Sequence, residues 1–218
     1  MTLLAIDTAT DRASVALGRT GADALEASLD GARRHAAALL PMIARLLAQA
    51  EIGLDDVRGI VLADGPGSFT GLRVGATVAK ALSLTRNLPV LTAPSLMARA
   101  LAAGAASPGP VLVTSDALRG EAYAAVYRFT ADAVETLVAP TVCVRTALPS
   151  LAPAGAVQAH GEPARAAALI TLAALRGGAL PVADVAAWEP AYGRPAEAQA
   201  QWERTHGRPL SGAAGLAG

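Results

Sequence analysis

Apolar positions along the first hundred residues switch between two rhythms. Leu3-Leu4-Ala5-Ile6 is a short apolar run ending on Asp7, and after the turn-forming Thr8-Ala9-Thr10-Asp11 the run Ser14-Val15-Ala16-Leu17-Gly18 reads as a returning strand. Ala24 to Leu29 supplies a third strand. Leu39, Leu40, Ile43, Leu46, Leu47 and Ala50 then recur at three- and four-residue intervals, the period of a helix with one apolar face. Pro41 lies inside that pattern and predicts a kink or a fresh start. Asp55-Asp56 begins a turn, Gly59 to Ala63 is an apolar strand, and a helix runs from Leu72 to about Arg86. Pro89 to Thr92 is a further strand and Ser95 to about Ala103 a further helix.

The theme then restarts. Val111 to Thr114 is apolar and ends at Ser115-Asp116, much as Leu3 to Ile6 ends at Asp7. Ala122 to Phe129, Val134 to Val138, Thr141 to Val144 and Val157 to His160 read as strands, and Ala164 to Arg176 as an alanine-rich helix. Two halves that each open with a strand, an aspartate and a returning strand predict a duplicated α/β unit. The expected division is an N-terminal domain over 1–103, a linker of small residues and breakers over 104–110, a shortened second domain over 111–194, and a polar tail over 195–218, disordered from Ser211.

Between the Gly59–Ala63 strand and the helix after it lies Asp64-Gly65-Pro66-Gly67-Ser68-Phe69-Thr70-Gly71. Strand, glycine loop and helix start together aim backbone N–H groups at an anion or at another stretch of backbone. Gly65 and Gly67 open conformations closed to other residues, Pro66 stiffens the loop, and Ser68 or Thr70 can cap the helix. Gly71, Gly75 and Ala79 follow at four-residue spacing and make one bare stripe, suited to close approach of a second element.

Composition narrows the field. Of 218 residues, 53% are hydrophobic and 17% charged, which describes a buried globular core rather than a disordered chain. A formal net charge of zero argues against this chain alone gripping nucleic acid. No apolar run approaches a membrane span, no basic leader opens the chain, and Cys143 is the sole cysteine, so a cytoplasmic protein without internal disulfides is expected.

Leu4-Ala5-Ile6-Asp7-Thr8-Ala9-Thr10, together with the run from Gly65 to Gly75, closely resembles the TsaB family, the non-catalytic partner of TsaD in bacterial synthesis of threonylcarbamoyladenosine on tRNA. His35 with Leu39-Leu40-Pro41, the run Ser115 to Tyr123, and Glu189-Pro190-Ala191-Tyr192-Gly193-Arg194 are similar to further motifs of that family. The resemblance covers about Thr2 to Arg194. It implies the fold shared by actin, sugar kinases and heat-shock ATPases, with two α/β halves of mixed sheets facing across a cleft.

Enzymes of that fold use the aspartate ending the first strand of each half to orient phosphates and metal-bound water, which makes Asp7 and Asp116 the candidate nucleotide residues. The commoner role of an aspartate after a buried strand is to cap the following turn. In the second half Ala117-Leu118-Arg119 stand where phosphate-approaching glycines would be, and Asp64 beside the loop would repel phosphate. TsaD-type relatives carry a His-x-x-x-His pair where Ser95 and Arg99 stand here, and Arg is no metal ligand. No metal site, catalytic residue or cofactor of its own is expected. Ser68 has no nearby histidine, Cys143 no basic neighbour, and ATP and metal are expected on partner subunits.

What remains is binding. Periodicity alone reads the small-residue stripe as internal packing. The resemblance implies instead that the two helices of the first half dock onto TsaD, or onto a second copy in a homodimer. His35, Leu39, Ile43 and Leu46 on one helix, with Gly71, Leu72, Gly75, Ala76 and Ala79 on the other, are then the expected interface, and Gly75→Leu is expected to block docking without unfolding. The TsaE ATPase is a further expected partner, with tRNA reached mainly through the complex. The alternatives are a self-contained kinase-like or glycoprotease-like hydrolase, or a regulatory homodimer bound to another protein.

Overall fold

The computed structural model describes residues 1–31, 34–104, 109–194, 201–202 and 205–207. Most of the expected linker and nearly all of the expected tail lie outside the described residues.

The first half runs β1 (Thr2–Asp7), β2 (Arg12–Arg19), β3 (Leu25–Asp30), α1 (His35–Gln49), β4 (Gly59–Ala63), α2 (Phe69–Arg86), β5 (Val90–Ala93) and α3 (Ser95–Gly104). The second runs β6 (Val111–Asp116), β7 (Glu121–Phe129), β8 (Val134–Val144), α4 (Leu148–Leu151), β9 (Val157–His160), α5 (Ala166–Leu172) and β10 (Leu180–Pro181). The strands form two sheets, ordered β3-β2-β1-β4-β5-β10 and β8-β7-β6-β9. β1 is antiparallel to β2 and parallel to β4, and β6 is antiparallel to β7 and parallel to β9. The same strand order built twice bears out the duplication. Among the described residues the second copy stops short, without counterparts of β5 and α3.

Both faces of the first sheet are covered, which is why β1 and β4 read as unbroken apolar runs rather than as alternation. Leu4, Ile6, Ile60 and Leu62 pack under α1 and α2 with Leu39, Ile43, Leu46 and Ala79. Leu3, Ala5, Val61 and Ala63 face the other way, into a core shared with α3, α5 and the second sheet through Leu96, Ala100, Leu169, Val113 and Ala125. One layer of helices thus lies between two sheets and joins the halves.

Several element boundaries differ from the sequence expectation. α1 continues through Pro41 as one helix. α2 begins at Phe69, three residues early, because the Ser68 hydroxyl accepts the Gly71 N–H at 3.2 Å and caps it there. The two strands expected on either side of Pro140 are one strand, β8, because it lies at a sheet edge where proline removes no needed donor. α5 ends at Leu172 rather than Arg176. The chain tightens into three-residue turns there, and Arg176 instead donates to the Asp132 carbonyl at 3.0 Å. β10 was not expected. It carries the chain back to pair with β5, so Leu180–Pro181 belong to the first sheet and the expected 111–194 domain is not confined to the second half. Among the described residues no helix is long and apolar enough to cross a membrane.

Candidate functional site

A cavity of about 470 Å³ opens between the halves, lined by the β1–β2 turn, the glycine loop, the β6–β7 turn, and Tyr192 and Arg194 from the C-terminal segment. The glycine loop forms one wall, and its backbone is already bonded to protein. Ser68 N–H donates to the Ala9 carbonyl at 2.8 Å, Gly65 N–H to Ser95 Oγ at 3.0 Å, and Gly71 N–H to Ser68 Oγ. Thr8 Oγ1 donates in turn to the Gly71 carbonyl at 2.8 Å. Of the two uses open to a glycine loop, holding an anion or meeting another backbone, this one is engaged in the second.

That engagement also decides what the small-residue stripe does. At Gly71 a Cβ would run into the Thr8 carbonyl oxygen, and at Gly75 into Thr8 Oγ1, with Leu62 Cδ1 only 3.4 Å away. The stripe is bare so that α2 can settle on β1 and β4. All nine residues expected at the partner interface face inward: Leu39, Leu72 and Ala79 have at most 1% of their surface exposed, and His35, Ile43, Leu46, Gly71, Gly75 and Ala76 are buried with them. His35 faces Asp11, its Nε2 lying 3.1 Å from that residue's carbonyl oxygen. The expected interface is corrected accordingly, since side chains in this core cannot meet a partner.

The two candidate aspartates diverge. Asp7 has no exposed surface, and its Oδ1 accepts the Ala9 N–H at 3.0 Å. Burial raises its carboxyl above the ordinary range, opposed chiefly by the positive charge of Arg99. It faces α5 rather than the cavity: Ser14 Oγ beside it accepts the Ala166 N–H at 3.1 Å, and Glu26 accepts the Ala167 N–H at 3.2 Å. Asp116 does line the cavity, but its Oδ1 accepts the Leu118 N–H at 3.0 Å and pairs with Arg145 at 2.9 Å. These bonds hold its carboxyl below the usual range. The two aspartates are not brought together on one ligand position. Among the described residues no group of three His, Cys, Asp or Glu side chains is placed to hold a metal ion.

The role of the Glu189–Arg194 motif becomes visible here. Ala191 N–H donates to the Asp64 carbonyl at 2.8 Å, and the Tyr192 ring lies 4.4 Å from that of Phe69, both on the first half. On the second half Tyr123 donates its hydroxyl to the Tyr192 carbonyl at 3.3 Å, and Arg194 pairs with Glu121 at 3.1 Å while covering the Tyr123 ring. The segment straps the halves together at the cavity mouth. Its one aromatic residue, Tyr192, is the latch.

Sequence reasoning missed the buried polar cluster behind the loop. Arg99, considered there only as a non-ligand, has no exposed surface; its Nε donates to the Ser95 carbonyl at 3.1 Å and its Nη2 to that of Pro66 at 3.5 Å. Asp64 and Tyr127 lie nearby, and burial, then Asp64, raises the Tyr127 hydroxyl. Burial pushes the Asp64 carboxyl up to about 7, against the opposing hydrogen bonds of its own N–H and of Thr92. The folded protein therefore keeps a proton that the unfolded chain releases near pH 4. Stability contributed by this group is full below that point and falls as pH rises toward 7. Asp64→Asn is expected to remove the fall. Unfolding free energies from urea denaturation at pH 5 and pH 8 should differ by about 2–3 kcal/mol more in the wild type than in the variant.

Comparison with known proteins places this geometry. The profile of the TsaD family, described as tRNA N6-adenosine threonylcarbamoyltransferase, matches residues 29–170. The tRNA threonylcarbamoyladenosine biosynthesis protein TsaB of Haemophilus influenzae is 44% identical over 103 residues, covering 47% of this chain and 43% of the relative. That of Escherichia coli is 38% identical over 129 residues, covering 59% and 55%. The structure of YeaZ from Pseudomonas aeruginosa superposes with a TM-score of 0.73 at 27% identity, covering 87% of this chain and all (100%) of that one. The chain belongs to the TsaB family. Its fold is the actin-like ATPase fold, with mixed sheets in both halves. The matched stretch spans about half the length of these two TsaB relatives. Within a TsaB chain the Gly65–Gly75 motif, the Ser115–Tyr123 turn and the Glu189–Arg194 strap thus converge on one place, the mouth of the cleft.

Proposed function

We propose that this TsaB-family chain serves tRNA threonylcarbamoyladenosine biosynthesis as a non-catalytic scaffold that docks a TsaD-type catalytic subunit. The observation that carries the reading is the state of the cleft. The N–H groups of Gly65, Ser68 and Gly71 in the loop are bonded to Ser95, Ala9 and Ser68, and the first-half aspartate is buried against α5. ATP and metal then belong to the partners, a TsaD-type enzyme and a TsaE-type ATPase. With no net charge, the chain reaches tRNA through the complex.

The docking surface in this reading is the outward side of α1 and α2, not their buried stripes. Leu40 and Leu84 are 54% and 66% exposed there, and a groove of about 430 Å³ runs between the helices past Ala36, Val74, Thr77 and Val78. A stable contact would bury on the order of 1,600 Å² in total. The test is reconstitution: unmodified tRNA, the TsaD-type and TsaE-type proteins and the enzyme that makes threonylcarbamoyl-adenylate, incubated with and without this chain, with the nucleosides then weighed by mass spectrometry. Modified adenosine is expected only when the chain is present. Equal product without it, or nucleotide hydrolysis by the isolated chain, would overturn the scaffold role.

A further inference from the structure

The groove between α1 and α2 carries one feature that its apolar walls do not explain. Arg73 is the only charged residue in its described lining, and it is exposed. The other cations of α2 are already paired, Lys80 with Glu189 at 3.7 Å and Arg86 with Asp55 at 2.6 Å. Among the described residues Arg73 has no carboxylate in ion-pair range. It is nevertheless held in place. Its guanidinium lies 4.4 Å from the centroid of the Phe69 ring, and its Nε donates to the Tyr192 hydroxyl at 3.4 Å. That hydroxyl donates onward to Glu189 Oε2 at 3.2 Å. A hydroxyl that gives its proton to a carboxylate presents its lone pair to Arg73, so the chain Glu189, Tyr192, Arg73 has one consistent direction.

A fixed, unpaired guanidinium on an apolar surface is costly to cover unless the covering surface brings an anion. It is also the cation best shaped for a carboxylate, because its planar fork bonds both oxygens at once. We propose that Arg73 is the charge-reading residue of this groove: it takes a carboxylate side chain from the partner helix that docks there, and Tyr192 is the residue that positions it. This rests on the docking reading above and adds the chemistry that docking requires, an apolar helix face with an Asp or Glu opposite Arg73. It also gives the C-terminal strap a second task beside joining the halves, since the ring that latches the cleft also orients the cation on α2.

The experiment is calorimetric titration of the full-length protein with the TsaD-type subunit of the same organism, at low and high salt. Wild-type affinity is expected to fall with salt. Arg73→Gln is expected to weaken binding about tenfold at low salt, the size of one charge-assisted hydrogen bond, and to flatten the salt dependence. Tyr192→Phe, which keeps the ring on Phe69 and removes only the hydroxyl, should weaken binding severalfold in the wild-type background and not at all in Arg73→Gln. Both variants should melt within a degree or two of wild type. A wild-type chain that does not bind overturns the docking reading itself. Wild-type binding retained by Arg73→Gln, with its salt slope intact, overturns the role of Arg73 alone. A Tyr192→Phe effect that is absent, or that persists undiminished in Arg73→Gln, overturns the positioning role.

Discussion

Gly75→Leu is expected to destabilise the fold itself rather than to act on a binding surface. The sequence-based expectation was the reverse, a folded monomer with a blocked interface. The geometry reverses it because the missing Cβ of Gly75 is where Thr8 Oγ1 sits, with Leu62 Cδ1 at 3.4 Å and Ile6 Cγ2 at 3.6 Å behind it. Thr8 cannot yield freely, since its Oγ1 is bonded to the Gly71 carbonyl one turn away. A leucine would therefore lift α2 from β1 and β4 and open the core that Ile6, Leu62 and Ala79 share. Overpacking of a buried face costs about 1–3 kcal/mol, and here breaking the Thr8 hydrogen bond adds about 1 kcal/mol more. Helix propensity returns less than about 1 kcal/mol of this when glycine is replaced. The net loss of about 2 kcal/mol should lower the melting temperature by roughly 4–8 °C in a chain of this size. Thr77→Ala, on the outward side of the same helix, serves as the control and should melt like wild type. A Gly75→Leu protein that melts like the control would mean that α2 is not seated on Thr8.

Why the stripe was misplaced is instructive about what a sequence can say. Period and residue size located α2 and its bare side correctly, because both are local properties. Periodicity alone also read the stripe as internal packing, as the structure has it; the family resemblance moved it to an interface, which was open to it because Gly71, Gly75 and Ala79 suit close approach to a strand as well as to a partner helix. Only the position of Thr8, some sixty residues away in the chain, decides between them. The same limit governs the other misses. β10 is two residues long and contains Pro181, so no alternation marks it, and only its pairing with Leu91 and Thr92 makes it a strand. Pro140 looked like a strand break because its tolerance depends on β8 being an edge. Legible from the start were the Asp7 and Asp116 turns, the Ser68 cap and the twofold restart, each a short-range signal. Arg99 could have been flagged, because an arginine within an otherwise apolar helix run needs a buried acceptor to account for it.

Asp7→Ala is expected to be among the most destabilising single changes in the chain, although the resemblance made Asp7 a candidate for orienting phosphates. Asp7 and Arg99 are opposite charges with no exposed surface, on β1 and α3, and each favours the charged form of the other against burial. Removing the carboxylate leaves a buried guanidinium whose remaining partners are the Ser95 and Pro66 carbonyls. The two act on each other through space, with no direct bond between them and with Asp7 Oδ2 and Arg99 Nη1 both lacking a hydrogen-bond partner, and leaving one such buried charge without its counter-charge costs about 3–5 kcal/mol. Arg99→Met should cost a similar amount by stranding the carboxylate, and the double variant should cost clearly less than the two together, because no charge is then left alone. Urea denaturation of the four proteins measures this directly, and strict additivity would mean the pair does not interact. Reconstitution separates the structural role from a chemical one. If Asp7 only holds α3 and the α5 start against the first sheet, Asp7→Asn should support tRNA modification in proportion to its folded fraction, measured below its melting temperature. A fully folded Asp7→Asn with no activity would instead make Asp7 a participant in the reaction, and the cleft would have to be read as a working site.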